Sequence, residues 1–287
     1  MANLKNPTTF QQQVECFEEK NIIVADKDAC AAFLKKVNYY RLSAYYLPFK
    51  TDDGKCQPNV TFEQIQKIYE FDKELRMLIL GMIEDIEINL RTQIAYYSAH
   101  KYGSDGYMIE KNYNKKHNHN NFEKHVNSCI RENANTLIVK HHISKYNGKF
   151  PIWVIIEFFS IGMLSHFYRD MKTTDRKKLS KELYNTSHFV LDSWMRCLTD
   201  LRNKCAHYSR LYYAIFPAIP KMPINEKYIP TRKLFAQLYM LKLMHPSADV
   251  WNNSFLKPLI KLFKKYSLYI SREHLDFPYR WKSMLKK

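Results

Sequence analysis

Residues 61–103 read TFEQIQKIYEFDKELRMLILGMIEDIEINLRTQIAYYSAHKYG, and they have the pattern of one long helix. It contains no proline, and its apolar residues recur at the spacing of one helix face. Thr61 to Gln64 fits a capping box at the start, and Gly103 fits a C-terminal stop. One helix over 62–101 would be about 60 Å long. Its apolar face would comprise Leu75, Ile79, Met82, Ile86, Leu90 and Tyr97.

The rest of the chain also has a helical pattern. The 287 residues include only six glycines, and no segment of any length shows the apolar–polar alternation of a strand. The pattern therefore predicts an all-α fold. Cap residues and helical spacing predict further helices near 8–24, 26–37, 121–146, 151–171, 187–208, 232–245 and 248–269, and a short basic helix after Thr173 and Thr174.

Breaks in composition divide the chain into three parts. The turn at 51–55, followed by Pro58, separates an N-terminal helical module at 1–58 from a helical core at 59–215. Four prolines between 216 and 231 indicate a semi-rigid connector. Residues 216–287 are therefore predicted to be a Pro-rich connector and C-terminal helices packed on the core.

The charge balance favours a polyanionic partner. Lysine and arginine number 45 against 28 acidic residues, a formal net charge of +17. Binding to nucleic acid would release counterions from the phosphates, although an ordinary basic protein is the alternative.

The six cysteines form no C-x-x-C pair, residues 1–7 do not look like a signal peptide, and the apolar run 152–164 is too short to span a bilayer. We therefore expect a cytoplasmic protein with no membrane partner.

A second predicted helix carries the residues best suited to chemistry. Starting from the N-cap candidate Ser187, it would end with Arg202 at the edge of its apolar stripe and Asn203 and His207 on the far face. An imidazole exchanges protons near neutral pH, and a guanidinium matches phosphate oxygens. The trio suits metal-free cleavage of RNA by its own 2′-hydroxyl, but spacing alone also fits an ordinary helix end. The apolar stripe would comprise Trp194, Leu198, Leu201, Cys205 and Tyr208.

The segment Arg202–His207 has the form R-N-x-x-x-H, which resembles the Arg-x4-His signature of HEPN ribonucleases. The following residues 208–211 resemble the AbiD/AbiF-like abortive-infection proteins of bacteria. Other blocks in the same order extend the resemblance over nearly the whole chain: 38–49, 71–76 with 83–92, 150–153 with Gly162 and Leu164, and 277–278 before Trp281. The resemblance implies a HEPN-type helical bundle with a long central helix and a small N-terminal helical module.

The same resemblance implies a function. It indicates a metal-independent endoribonuclease toxin with no cofactor, in which Arg202, Asn203 and His207 of two copies form one composite site in a homodimer. The products would be 2′,3′-cyclic phosphate ends. The partners implied are an RNA substrate and a cognate noncoding RNA that restrains the toxin. Alternatives are a non-catalytic HEPN RNA-binding protein and, less favoured, a DNA-binding regulator that uses residues 8–49.

Four residues are candidates for supporting the motif. Glu87 and Arg91 lie in i,i+4 register on the long helix, where they form either a surface ion pair or a face that borders the motif. In the second case a carboxylate would orient Arg202 or His207. Lys204 and Arg210 are candidate phosphate contacts.

Three basic segments are candidate RNA-binding surfaces, and each could instead be a solvated or packed face. They comprise Lys35, Lys36, Tyr40 and Arg41; Arg176, Lys177 and Lys178; and Lys257, Lys261 and Lys264. His117, His119 and His125 suggest metal only weakly, because no carboxylate cluster accompanies them. We predict that these histidines are solvated surface residues and that the protein has no metal site.

Overall fold

The computed structural model describes residues 6–287, so the sequence prediction for residues 1–5 lies outside it. In the described range the chain is all-α, as predicted, and pairs as β structure only in isolated bridges. The helices are α1 (Phe10–Glu19), α2 (Lys27–Leu34), α3 (Tyr39–Ser43), α4 (Phe62–Tyr102), α5 (His119–Glu132), α6 (Leu137–Tyr146), α7 (Ile152–Ile155), α8 (Ile161–Asp170), α9 (Thr173–Tyr184), α10 (His188–Ala206), α11 (Leu234–Met244), α12 (Ala248–Val250), α13 (Lys257–Lys265) and α14 (Trp281–Leu285).

Helix α4 is the axis of the bundle, and its ends lie where the sequence predicts them. The Thr61 hydroxyl accepts a hydrogen bond from the Gln64 amide at 3.1 Å, and Gly103 ends the helix with a φ of +85°. The capping box is only half formed, because the Gln64 side chain donates to the Tyr269 carbonyl instead. The predicted apolar face is buried, except that Tyr97 is half-buried.

Helix α10 packs against α4, α8, α9 and α11. Its N-cap is Ser187, whose hydroxyl accepts from the Val190 amide, as predicted. Trp194, Leu198, Leu201 and Cys205 are buried. The prediction was wrong for Tyr208, which lies beyond the helix end at Ala206 and is 66% exposed.

Two predicted helices are divided in the structure. The region 121–146 forms α5 and α6, because the Asn133 side chain bonds back to the Cys129 carbonyl and ends the first helix. The region 151–171 forms α7, a 3₁₀ turn and α8, since Phe159 is extended and Ser160 caps a new helix through the Met163 amide. The first helix is shorter than predicted, because Asn21 turns the chain with a φ of +59°.

Buried side chains from all three predicted parts of the chain join in one hydrophobic core. Phe17 packs on Phe62, and Phe71 packs on Phe263, so the N-terminal helices and the C-terminal helices both dock on α4. The division at residues 58 and 215 stays a prediction. From residue 6 onward, no helix has both the length and the apolar character needed to cross a membrane.

Candidate active site at the end of helix α10

The motif residues lie in the last turns of α10 and immediately after it. Arg202 is half-buried, whereas Asn203 and His207 are exposed. The Arg202 guanidinium lies 3.5 Å from the Asn203 side-chain oxygen. His207 is the residue on which the helix ends, and no group in residues 6–287 is hydrogen-bonded to its imidazole. Its two ring nitrogens are therefore available to a ligand.

The chain leaves α10 through a strained turn. The Tyr208 amide donates to the Cys205 carbonyl at 3.2 Å, and the Ser209 amide donates to the Lys204 carbonyl at 2.8 Å. These two bonds form a Schellman motif, which requires a left-handed residue and usually has glycine there. Tyr208 takes this position with a φ of +58°. A residue with a β-carbon pays roughly 1 kcal/mol or more for that conformation, so other contacts must hold it.

Those contacts come from α3, α4 and the residue that follows α3, and they bind residues 208–212, called here the exit segment. Arg41 donates to the Tyr208 carbonyl at 2.6 Å, and Arg76 lies 3.4 Å from the Ser209 carbonyl. Arg210 donates to the Ala44 carbonyl at 2.6 Å. The amides of Leu211 and Tyr212 donate to the Asp72 carboxylate at 3.2 Å and 2.8 Å. The chain path beyond His207 is thereby fixed at five consecutive residues.

The Asp72 carboxylate is the centre of this network and is fully buried. Besides the two amides, it accepts the Tyr45 hydroxyl at 2.8 Å and forms an ion pair with Arg76. Burial raises the pKa of Asp72 above its ordinary value, although the Arg76 guanidinium and these hydrogen bonds oppose the shift. Burial likewise opposes the Arg76 charge, but the Asp72 carboxylate raises the pKa of Arg76. The Tyr45 hydroxyl, the Arg76 guanidinium and two amides of the exit segment therefore share one acceptor.

Arg202 lines an open cavity of about 520 Å³ between α4 and α10. Glu84, Glu87 and Arg91 border the same cavity, so the predicted neighbourhood of α4 and the motif is present. Glu87 pairs with Arg91 and has no hydrogen bond to Arg202 or His207 in residues 6–287, so its role in orienting the motif stays a prediction. Arg91 also donates to the Ile156 carbonyl at 2.6 Å and so holds α4 to the turn after α7. The remaining lining residues are Met77, Leu80, Gly81, Ile83 and Ile88.

The other residues expected near the motif are partly engaged within the chain. The Lys204 ammonium lies 5.7 Å above the Phe216 ring. Arg210 is half-buried, and burial lowers its pKa from the ordinary value. A phosphate contact by Arg210 would have to share the guanidinium with the Ala44 carbonyl.

The candidate RNA-binding residues differ in how free they are. Arg176 is held in an ion pair with Asp192 at 2.6 Å and so links α9 to α10. Arg41 is exposed but already bonded to the exit segment. The other candidates are exposed: Lys35, Lys36, Tyr40, Lys177, Lys178, Lys257, Lys261 and Lys264.

Of the three histidines that we expect to be solvated, His125 is exposed, as predicted, but the prediction was wrong for His117 and His119, which pack within the chain. The His117 side chain is 2% exposed, lies 3.0 Å from Asp170 and stacks on Tyr113 with ring centroids 3.8 Å apart. His119 lies 3.3 Å from His117. Across 6–287, no three His, Cys, Asp or Glu residues are arranged to hold a metal ion.

Sequence reasoning missed the buried polar residues Asp72, Arg76 and Tyr45. A signal was present, because Asp72 and Arg76 are an i,i+4 pair of opposite charge beside the apolar residues Leu75 and Ile79. Charged residues are almost never fully buried unless they are paired, so a pair on that face indicates an internal contact.

The chain is similar to a known protein family. The family model described as Abi-like protein matches residues 32–213. The matched range contains α4, α10, the Asp72 cluster and the whole exit segment. No curated protein and no solved structure matches the chain.

Proposed function

The chain belongs to the Abi-like protein family, an abortive-infection family, and from this premise we propose that it is a metal-independent HEPN endoribonuclease toxin of a bacterial anti-phage system. The observation that carries the proposal is the placement of the motif. His207 is exposed at a helix end that is fixed by the exit segment, with Asn203 one turn away and Arg202 on an open cavity.

The motif side chains have the chemistry that RNA cleavage requires. One imidazole takes the proton of the 2′-hydroxyl, and another returns a proton to the 5′-oxygen that leaves. The oxygen of the 2′-hydroxyl forms the new bond to phosphorus, which gives 2′,3′-cyclic phosphate and 5′-hydroxyl ends. Arg202 stabilises the charge that develops on the phosphorane, and Asn203 orients His207 or the phosphate.

The two proton transfers are divided between two imidazoles in this scheme, and the motif of one chain supplies one. We therefore propose a twofold homodimer in which both motifs face the same phosphodiester. The face of α4 beside the Arg202 cavity suits this contact. Met77 and Ile88 are 65% and 54% exposed, and a β-carbon on Gly81 would meet no atom within 4 Å. Exposed apolar side chains with room between them allow another chain to approach closely, and the exposed Glu84 on the same face would lie within that contact.

The proposal includes restraint by a cognate noncoding RNA in the cytoplasm. Lys257, Lys261 and Lys264 are exposed at i, i+4 and i+7 on α13, and none forms an ion pair with a residue in the described range. Neutralising all three should make the negative slope of log K against log salt shallower by about two to three. The matched control neutralises Lys27, Lys67 and Lys265, which already pair with Glu18, Glu70 and Glu74, and should change that slope less.

Cleavage of labelled total RNA in EDTA tests the nuclease directly. The parent protein should release fragments with 5′-hydroxyl ends, while His207→Ala and Arg202→Ala should lose at least about a hundredfold in rate. Controls on the same protein are His125→Ala, an exposed histidine on α5, and Arg196→Ala, an exposed arginine on α10. A His207→Ala protein that cleaves at the parent rate would exclude this function, and binding without cleavage by the parent would favour the RNA-binding alternative.

The dimer has a separate test. Met77→Arg and Ile88→Arg should convert the dimer to a monomer in light scattering and abolish cleavage, because each places a charge in an apolar contact. Leu137→Arg is the control, since Leu137 is equally apolar and 86% exposed but lies on α6. A monomeric parent protein that cleaves RNA would contradict the composite site.

A further inference from the structure

From the buried network we infer that Asp72 is a positioning residue for His207, which acts through the exit segment and never touches the substrate. The inference rests on the proposed function for its catalytic meaning. The geometric evidence for it is that Asp72 and Arg76 contact the chain that follows α10 and that Tyr45 donates to Asp72.

The position of the His207 imidazole depends on the conformation of the exit segment. His207 ends α10, and the next residue must be left-handed to form the two Schellman bonds. If Tyr208 relaxes to an ordinary φ, both bonds break, and the last turn of α10 frays. The position of the His207 ring therefore depends on whatever keeps Tyr208 in that conformation.

The exit segment beyond Tyr208 is held chiefly by Asp72. Asp72 holds the amides of Leu211 and Tyr212, which are three and four residues beyond Tyr208. The same carboxylate pairs with Arg76, whose guanidinium also reaches the Ser209 carbonyl. Leu211 and Tyr212 are themselves fully buried. Loss of the carboxylate would leave these two buried amides without their acceptor, which the Arg41 and Arg210 bonds to neighbouring carbonyls do not replace, so Asp72 is the restraint on the second half of the exit segment.

Displacement of His207 should lower the rate of RNA cleavage. Catalysis requires the imidazole to lie within hydrogen-bond distance of the 2′-hydroxyl or the leaving oxygen, and a displacement of about 1 Å can cost about a hundredfold in rate. RNA affinity depends on exposed basic residues elsewhere, so it should not depend on Asp72. A positioning role therefore predicts a loss in kcat at nearly constant Kd for RNA.

The chain offers a matched control for loss of a buried carboxylate. Asp175 on α9 is also fully buried and accepts from Tyr97, Tyr102 and Lys101. None of these partners belongs to the exit segment. Asp175→Asn should destabilise the fold without moving His207.

The experiment compares Asp72→Asn with Asp175→Asn well below the unfolding temperature of both. Asp72→Asn should lower kcat about tenfold or more with RNA Kd within about twofold, while Asp175→Asn should leave both near the parent values. Tyr45→Phe and Tyr102→Phe form a second matched pair, in which each variant removes one hydroxyl that donates to a buried carboxylate and leaves the ion pair in place. If Asp72→Asn does not fold, the kcat values of this pair test the positioning role of Asp72. The inference would be overturned if Asp72→Asn and Tyr45→Phe both kept the kcat of the parent protein. It would also be overturned if kcat fell equally in Asp72→Asn and Asp175→Asn, or equally in Tyr45→Phe and Tyr102→Phe.

A second readout separates this inference from the nuclease proposal. In an NMR spectrum of labelled imidazoles, the His207 resonances should shift or broaden in Asp72→Asn and stay unchanged in Asp175→Asn. If the parent does not cleave RNA, the proposed function fails and the spectrum alone decides the positioning of His207. If the parent cleaves RNA and the His207 resonances do not respond to Asp72→Asn, the positioning fails and the function stands.

Discussion

Two carboxylates are fully buried at different parts of α4, Asp72 on the helix itself and Asp175 on α9 against its last turns, and they differ in what they bind. Asp175 accepts only side-chain donors, three from the last turns of α4 and one from its neighbour Thr174, and so joins one helix to another. Asp72 accepts two backbone amides of the exit segment as well as side chains. A carboxylate that binds side chains fixes how helices pack, whereas one that binds amides fixes the path of a chain. Only the second kind lies next to the motif.

The two carboxylates also differ in the direction of their pKa shifts. For Asp175, burial favours the neutral form, but the hydrogen bonds from Lys101, Tyr102 and Tyr97 outweigh it and lower the pKa. For Asp72, burial dominates, and the pKa is raised. The difference follows from access to water, since the Lys101 side chain is 40% exposed whereas that of Arg76 is 4% exposed. The Asp72 cluster is therefore the more costly one to open.

The largest expected difference between the two clusters is in stability. Asp72→Ala should lower the free energy of unfolding by about 3–5 kcal/mol, because it leaves Arg76 as an unpaired buried charge and orphans two amides. Asp175→Ala should lose about 1–3 kcal/mol, since Lys101 and the tyrosine hydroxyls can reach water. Urea unfolding of both variants measures the difference. Equal losses would mean that the amides of the exit segment are not held as the structure shows.

The pH dependence of stability should distinguish the clusters next. Because its pKa is lowered in the folded state, the ionised Asp175 stabilises the fold at pH values above its unfolded pKa of about 3.9. This contribution is lost as the pH falls from there through the lower pKa of the folded state. The difference in unfolding free energy between the parent and Asp175→Asn should therefore shrink below about pH 4. The corresponding difference for Asp72→Asn should not shrink, because a raised pKa has the opposite sign. Urea titrations at several pH values give both curves, and two curves that fall together would contradict the contrast.

The sequence is informative about α4 and α10 because their signals are local. A proline-free apolar stripe with Thr61 and Gly103 at its ends predicts α4 to within a residue, and Ser187 predicts the start of α10. The exit segment is different, because Asp72 and its amide partners are separated by 139 and 140 residues. No spacing rule reaches that far. The helical pattern also runs on through Tyr208, and without a glycine nothing in the sequence marks the left-handed turn.

The smallest expected difference concerns the turns that follow α9 and α10. Both helices end with a left-handed residue, Asn185 with a φ of +48° after α9 and Tyr208 with a φ of +58° after α10. Asparagine tolerates that conformation far better than tyrosine, so the strain should be concentrated after the motif helix. Tyr208→Gly should raise the free energy of unfolding by about 1 kcal/mol, while Asn185→Gly should change it by a few tenths. The denaturant midpoint of the two variants measures this. If Tyr208→Gly destabilises the protein, the tyrosine ring contributes more than its backbone costs, and the turn beside His207 is not a site of strain that Asp72 must hold.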